Sequence, residues 1–282
     1  MTSQLKTILL LGILSAFVVM LGGLLGGRGG MIFALGLALV MNLGSFWYSD
    51  KIVLSMYHAR ETAYEDAPYL HDIVAKLAQR AQLPMPRIYI VPEETPNAFA
   101  TGRDPEHAAV AVTEGILRLL TPEQLAGVLA HEMGHVRNRD ILIQTIAGVM
   151  GSAIVTLANI FQFTAIFGGN REEGSNPLAG LVMALLAPIA ASLVQMAISR
   201  SREYLADETG AALCGDPLAL AGALEELGRV SGQIPMQSGN PSTAQMFIVQ
   251  PAFAVGDNLS RLFSTHPPLT ERIARLRAMV RA

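Results

Sequence analysis

Four long stretches of this chain carry no charge, and that absence constrains the fold more than any other feature. Thr7–Gly27 and Gly29–Ser49 each run 21 residues without Asp, Glu, Lys or Arg, and Ile141–Asn170 and Gly174–Ser199 repeat the pattern later. A helix rises about 1.5 Å per residue, so about 20 apolar residues cross the hydrocarbon of a bilayer. The composition agrees: 51% of residues are hydrophobic, only 15% are charged, and the mean hydropathy is +0.39.

The first pair reads as an N-terminal transmembrane hairpin over residues 1–50. It turns at Gly26-Gly27-Arg28-Gly29-Gly30 and ends on Trp47 and Tyr48, residues suited to a membrane interface. A cleaved signal peptide is the alternative for the first run. Against it, the run exceeds a usual signal core, no A-x-A site follows, and a second span comes at once. The second pair, residues 141–199, is divided by Arg171-Glu172-Glu173 and reads as a second transmembrane or membrane-embedded hairpin. Its alternative is a buried helical hairpin of a soluble enzyme, because Gln144, Asn159, Gln162 and Gln195 soften the signal. Lys6, Lys51, Arg60, Arg137, Arg139, Arg200 and Arg202 fall on one side of the spans, against Arg28 and Arg171 on the other, which places the soluble parts in the cytoplasm. A net charge of −3 suggests no nucleic-acid partner. Cys214 is the only cysteine, which excludes an intrachain disulfide and a cysteine zinc cage.

Residues 51–140 have the composition of a soluble domain. Asp66 and Pro68 open a helix that keeps Leu70, Ile73, Val74 and Leu77 on one face and ends before Pro84. Arg87–Val91 reads as a short strand. Asn97–Thr101 and Ala108–Thr113 form a hairpin around Gly102-Arg103-Asp104-Pro105. The fold class is therefore α+β, with helical membrane segments.

Thr121, Pro122 and Gln124 start the next helix as cap, first helical residue and capping-box partner. Late in it stands His131-Glu132-Met133-Gly134-His135. Residues four apart share a helical face, so the two imidazoles supply half of a tetrahedral zinc site with Glu132 beside them. A catalytic zinc ion needs a third protein ligand, with the fourth position left to water. The candidate is Glu203, just after the last apolar run. If the hairpin is antiparallel, His135 and Glu203 stand roughly 8 Å and 6 Å above the membrane boundary, at nearly one depth. Asp207, one turn on, is placed to accept the free ring N–H of His131. Solvated or interfacial roles suit Arg202 and Tyr204 better than contact with a developing oxyanion.

These residues carry a resemblance to a known family. His131–His135, Ser201-Arg202-Glu203-Tyr204-Leu205-Ala206-Asp207, Asn97-Ala98-Phe99-Ala100-Thr101-Gly102 and Thr265-His266-Pro267-Pro268 resemble the M48 membrane zinc metallopeptidases, and closely their HtpX branch. The resemblance implies a zincin catalytic domain of gluzincin type, with His131, His135 and Glu203 on one zinc ion per chain and Glu132 as the catalytic base. It also implies a multi-pass protein of the bacterial inner membrane that cleaves damaged membrane proteins from the cytoplasmic side in quality control.

Residues 200–282 form the second cytoplasmic part. Asp216 and Pro217 start a helix through about Val230, and Thr270–Arg281 closes the chain as an amphipathic helix. Ser231–Gly256 is either a long mobile loop near the site or a poorly ordered connection. His266 is either a transition-state donor or a packing histidine. His58, His71 and His107 show no partner pattern and are expected in solvent.

The chemistry expected is peptide hydrolysis, with membrane proteins or peptides as substrates, the bilayer as partner, and the Asn97–Thr101 strand pairing with an extended substrate. A zinc carrier or sensor would prefer ionisable residues inside the spans, and there are none. An inactive scaffold has no use for Glu132. Prenyl-peptide processing is a closer rival in chemistry, though four spans make a small enclosure for it.

Overall fold

The computed structural model describes residues 3–152, 200–231, 233–238, 241–251 and 266–280. Most of the second apolar pair, residues 153–199, lies outside them, as does Thr265.

The N-terminal helical run α1 (Ser3–Met56) reverses direction within itself. Asn42 Nδ2 donates to Ser15 Oγ across 2.7 Å, although 27 residues separate them. A straight helix would hold them about 40 Å apart. The reversal falls in the Gly26–Gly30 segment, where Gly27 adopts φ +55°, a backbone that side-chain-bearing residues resist. Gly27–Met56 is the one helix among the described residues long and apolar enough to cross a membrane. Ile32, Phe33, Val40 and Leu43 stand exposed along it.

Four strands form one mixed sheet: β1 (Arg60–Glu61), β2 (Arg87–Val91), β3 (Ala98–Thr101) and β4 (Ala109–Thr113), in the order β1-β2-β4-β3. β2 and β4 run parallel, and β3 pairs antiparallel with β4 through Ala98↔Val112 and Ala100↔Val110. The β3–β4 connection contains a 3-10 turn, Pro105–His107, capped by the Asp104 side chain. Because both faces are covered, β2 after Arg87 and β4 before Thr113 read as near-continuous apolar runs rather than alternating. Ile88, Ala98, Ala100, Val110 and Val112 face the larger core with α2 (Pro68–Ala81) and α4 (Pro122–Arg137). Tyr89, Val91, Phe99, Ala109 and Ala111 face Val53 and Leu54 of α1 and Tyr57 just after it. Alanine at 109 and 111 leaves room there for the rings of Tyr57, Phe99 and Phe247, whose centroids lie 5.1–5.6 Å apart.

After α3 (Glu114–Leu119) and α4 comes α5 (Ile141–Ser152), apolar and enclosed by protein along nearly its whole described length. α6 (Arg200–Cys214), α7 (Pro217–Val230) and α8 (Leu269–Met279) complete the larger core. The described parts of Ser231–Gly256 are not a free loop; they include a 3-10 helix, Pro241–Met246. They make a strap held against the sheet: Thr95 Oγ1 donates to the Ile234 carbonyl at 2.9 Å, Glu93 accepts from the Ser238 N–H at 2.7 Å, and Thr243 meets the Tyr57 hydroxyl. Of the three histidines expected in solvent, His58 and His107 are exposed, His107 lying 2.5 Å from Asp104; His71 is partly buried, 3.1 Å from the Thr62 carbonyl.

A candidate metal centre

α4 begins as its sequence requires. Gln124 N–H donates to Thr121 Oγ1 at 3.3 Å, Thr121 N–H donates to Gln124 Oε1 at 3.1 Å, and Pro122 takes the first turn. The helix ends at Arg137, and Arg139 takes φ +57° to redirect the chain into α5. Its middle is buried on every side, so His131, Glu132 and His135 sit inside the protein.

Two glycines set how close α6 comes. A Cβ on Gly210 would fall 2.8 Å from the backbone N and Cα of His131, and one on Gly134 would fall 3.0 Å from the Ala206 carbonyl. The helices therefore touch backbone to backbone. That contact carries Glu203 and Asp207, one turn apart on α6, onto the histidine face of α4.

The polar atoms then fall into place. His135 Nε2 lies 3.2 Å from His131 Nε2 and 3.5 Å from Glu203 Oε1, while His131 Nε2 lies 3.8 Å from Glu203 Oε2. Tetrahedral zinc with bonds of about 2.0–2.2 Å implies ligand-to-ligand edges of about 3.3–3.6 Å. The three side chains match that set closely, and Glu203 Oε2 is buried without a hydrogen-bond partner. The donor set fits a metal ion.

Around the ligands stands a second set of partners. Asp207 Oδ1 lies 2.9 Å from His131 Nδ1, the contact that holds Nε2 free as an acceptor. Arg272 on α8 is fully buried and grips Asp207 with Nε at 2.9 Å and Nη2 at 2.7 Å. Asp140 stands 3.6 Å from His135 Nδ1 and 3.4 Å from Arg202, which gives that arginine a carboxylate partner at the site's edge. His266 Nε2 is 3.8 Å from Glu203 Oε2. Tyr204 faces away from the ligands, with the Arg275 guanidinium 3.8 Å from its ring centroid. Arg272 and Asp140 were not singled out by the sequence.

Burial and charge set the protonation states of the metal-free site. Burial pushes Glu132 up to about 8, with the Glu203 charge adding to the effect and the Ala100 N–H working against it. Burial alone would lower His135, but the carboxylates of Glu203, Asp140 and Glu132 outweigh it and raise it to about 9. Burial lowers His131 to about 4 despite Asp207. Glu203 and Asp207 lie below the usual carboxylate range: burial opposes this, but surrounding positive groups prevail, His135 first for Glu203 and Arg272 first for Asp207.

Comparison with known proteins agrees with this geometry. Residues 65–280 match the model of peptidase family M48. The chain is 57% identical over 281 residues to a protease HtpX homolog of Desulforapulum autotrophicum, covering 98% of this chain and 90% of that protein. It is 54% identical over 284 residues to a protease HtpX homolog of Syntrophobacter fumaroxidans, covering 99% and 100%. Among solved structures, S. mikatae Ste24p matches with a TM-score of 0.50 at 16% identity; the match covers 97% of this chain and 65% of that one, and it speaks to fold alone. The chain is thus a metallopeptidase and a member of peptidase family M48.

Proposed function

We propose that the protein is a zinc-dependent endopeptidase of the bacterial inner membrane, built on a gluzincin-type zincin domain, which hydrolyses misfolded or damaged membrane proteins at the cytoplasmic face. The observation that carries the reading is a buried His131–His135–Glu203 set with Glu132 alongside it, next to an extended sheet edge. These three residues would hold one zinc ion per chain. When bound, the ion supplies Lewis acidity toward the scissile carbonyl and the attacking water.

The chain's own groups do the rest. Glu132 takes a proton from the attacking water at its carboxylate and returns it to the leaving amine nitrogen. Asp207 holds the His131 ring, and Arg272 holds Asp207. On β3, the N–H of Phe99 and the carbonyl of Asn97 belong to the side that pairs with β4, so the polar groups of Ala98 and Ala100 point outward, away from β4. An extended peptide adding to that edge would lie beside Glu132, which the Ala100 N–H already contacts. The exposed apolar length of Gly27–Met56 supports membrane residence, because water would not leave such a surface uncovered. The lysine and arginine distribution supports the cytoplasmic orientation.

Glu132→Gln tests the reading. The variant should bind zinc with wild-type stoichiometry, measured by atomic emission, and lose at least about a thousandfold in casein cleavage, the scale expected when a proton-transfer group is removed. Full activity with normal zinc would remove Glu132 from the mechanism.

A further inference from the structure

The edge of β3 that a substrate would use is already occupied. Ile248 N–H donates to the outward carbonyl of Ala98 at 3.1 Å. Asn97 frames the next peptide unit, its Nδ2 donating to the Val249 carbonyl at 2.6 Å and its Oδ1 accepting from the Val249 N–H at 3.4 Å. The Ile248 carbonyl accepts from Arg272 Nη1 at 3.0 Å, and that same nitrogen is 3.9 Å from Glu203 Oε2. The backbone of residues 247–249 is therefore one guanidinium away from the ligand set.

The three side chains divide between the two cores, Val249 going with Ile248. Phe247 enters the aromatic cluster with Tyr57 and Phe99 on one face of the sheet, and Ile248 enters the larger core on the other. Both are almost completely buried, so no second peptide can share this stretch of edge.

We propose that Phe247-Ile248-Val249 is an internal occupant of the substrate edge. In this arrangement the chain is self-blocked, and an extended peptide with an aromatic followed by an aliphatic side chain is what replaces the strap. The inference rests on the peptidase reading above. It follows from competition: the incoming strand needs the Ala98 carbonyl and the space along β3, and the strap holds both. What holds the strap is exchangeable, since each backbone hydrogen bond it gives up is one that a substrate backbone can return.

The test compares full-length, zinc-loaded protein in detergent with two variants that leave the ligands and Glu132 untouched. Ile248→Pro removes the N–H that reaches Ala98. Thr243→Val removes the hydroxyl that anchors the strap on Tyr57. Cleavage of β-casein should rise in kcat/KM by about fivefold for Ile248→Pro, the worth of one hydrogen bond, and by about twofold for Thr243→Val. In zinc-loaded Glu132→Gln protein, β-casein should accelerate amide exchange over residues 244–250 at least tenfold.

Unchanged or lower kcat/KM in folded variants beside an active wild type would overturn the strap alone. So would undiminished protection of residues 244–250 with casein bound. Should Ile248→Pro fail to fold, Thr243→Val and the exchange measurement decide. A chain inert toward casein in every form would remove the peptidase reading, and the strap proposal with it.

Discussion

On the α4–α6 side of the site, backbone meets backbone. Gly210 lies against the main chain of His131 and Gly134 against that of Ala206, with no side chain between them to rearrange. Around that contact the charged groups are matched in pairs, Asp207 with Arg272 and His131, Asp140 with Arg202 and His135. On the β3 side, the strap meets the sheet through separate hydrogen bonds at Ala98, Asn97, Thr95 and Glu93. The first wall fixes the distances between three ligands. The second is made of the kind of contact that any extended peptide can copy. A site that must hold a metal ion steady and still admit a polymer needs one wall of each kind.

The comparison breaks most visibly if the ligand wall tolerates loss of a ligand. Glu203→Ala leaves two imidazoles, so zinc affinity should fall by at least about a thousandfold and purified protein should carry little metal. Metal analysis after dialysis against a mild chelator reads this directly. Normal zinc content would mean that another group, with His266 nearest at 3.8 Å from Glu203, completes the set.

Much of this wall was legible in the sequence because it is local. The i, i+4 spacing of His131 and His135, the Thr121 capping box and the Glu203–Asp207 step all act within one helix. The strands over 87–91, 98–101 and 109–113 were equally readable from short apolar runs between turn residues. Arg272 was not, because its partners lie 65 and 141 residues away. Its one signal was position: Leu269, Arg272, Ile273 and Leu276 share the buried stripe of α8, and an arginine on such a stripe needs a carboxylate partner. The strap escaped for the same reason. Ser231–Gly256 has no period in the sequence, and the hydrogen bonds of its described residues reach partners more than a hundred residues away, such as Ala98, Thr95 and Glu93. The glycine contacts that join α4 to α6 escaped as well, because they form between helices far apart in the sequence.

A smaller effect sharpens the same contrast. Gly210→Ala would place a methyl group 2.8 Å from the His131 backbone, which cannot swing aside, so α6 must move away from α4. Overpacking of this kind costs about 1–3 kcal/mol, and zinc affinity should weaken by about tenfold to a hundredfold as the ligand distances open. Gly228→Ala is the control. Its Cβ would meet only the end of the Leu269 side chain at 2.9 Å, which can turn, so zinc binding should stay at the wild-type value. Equal losses in the two variants would show that α7 tightness matters as much as the α4–α6 contact.

The smallest effect is a dependence on pH. In the metal-free protein the neighbouring carboxylates, Glu203 first among them, hold the His135 proton up to about pH 9, against the tendency of burial. A metal ligand must give up that proton, so binding between pH 7 and 9 releases one proton and becomes tighter as pH rises, by at most about tenfold per unit. Above about pH 9 the gain from His135 ends because the ring is already neutral. His131, lowered to about 4, contributes nothing in this range. Competition with a chelator of known proton affinity at pH 7, 8 and 9 reads the slope. Asp140→Asn removes one of the carboxylates that hold the proton, so it should flatten the upper part of the curve while leaving the three ligands in place. A flat profile in the wild type would mean that His135 is already neutral before metal arrives, and that Glu203 is held for the ion by Arg272 and His266 instead.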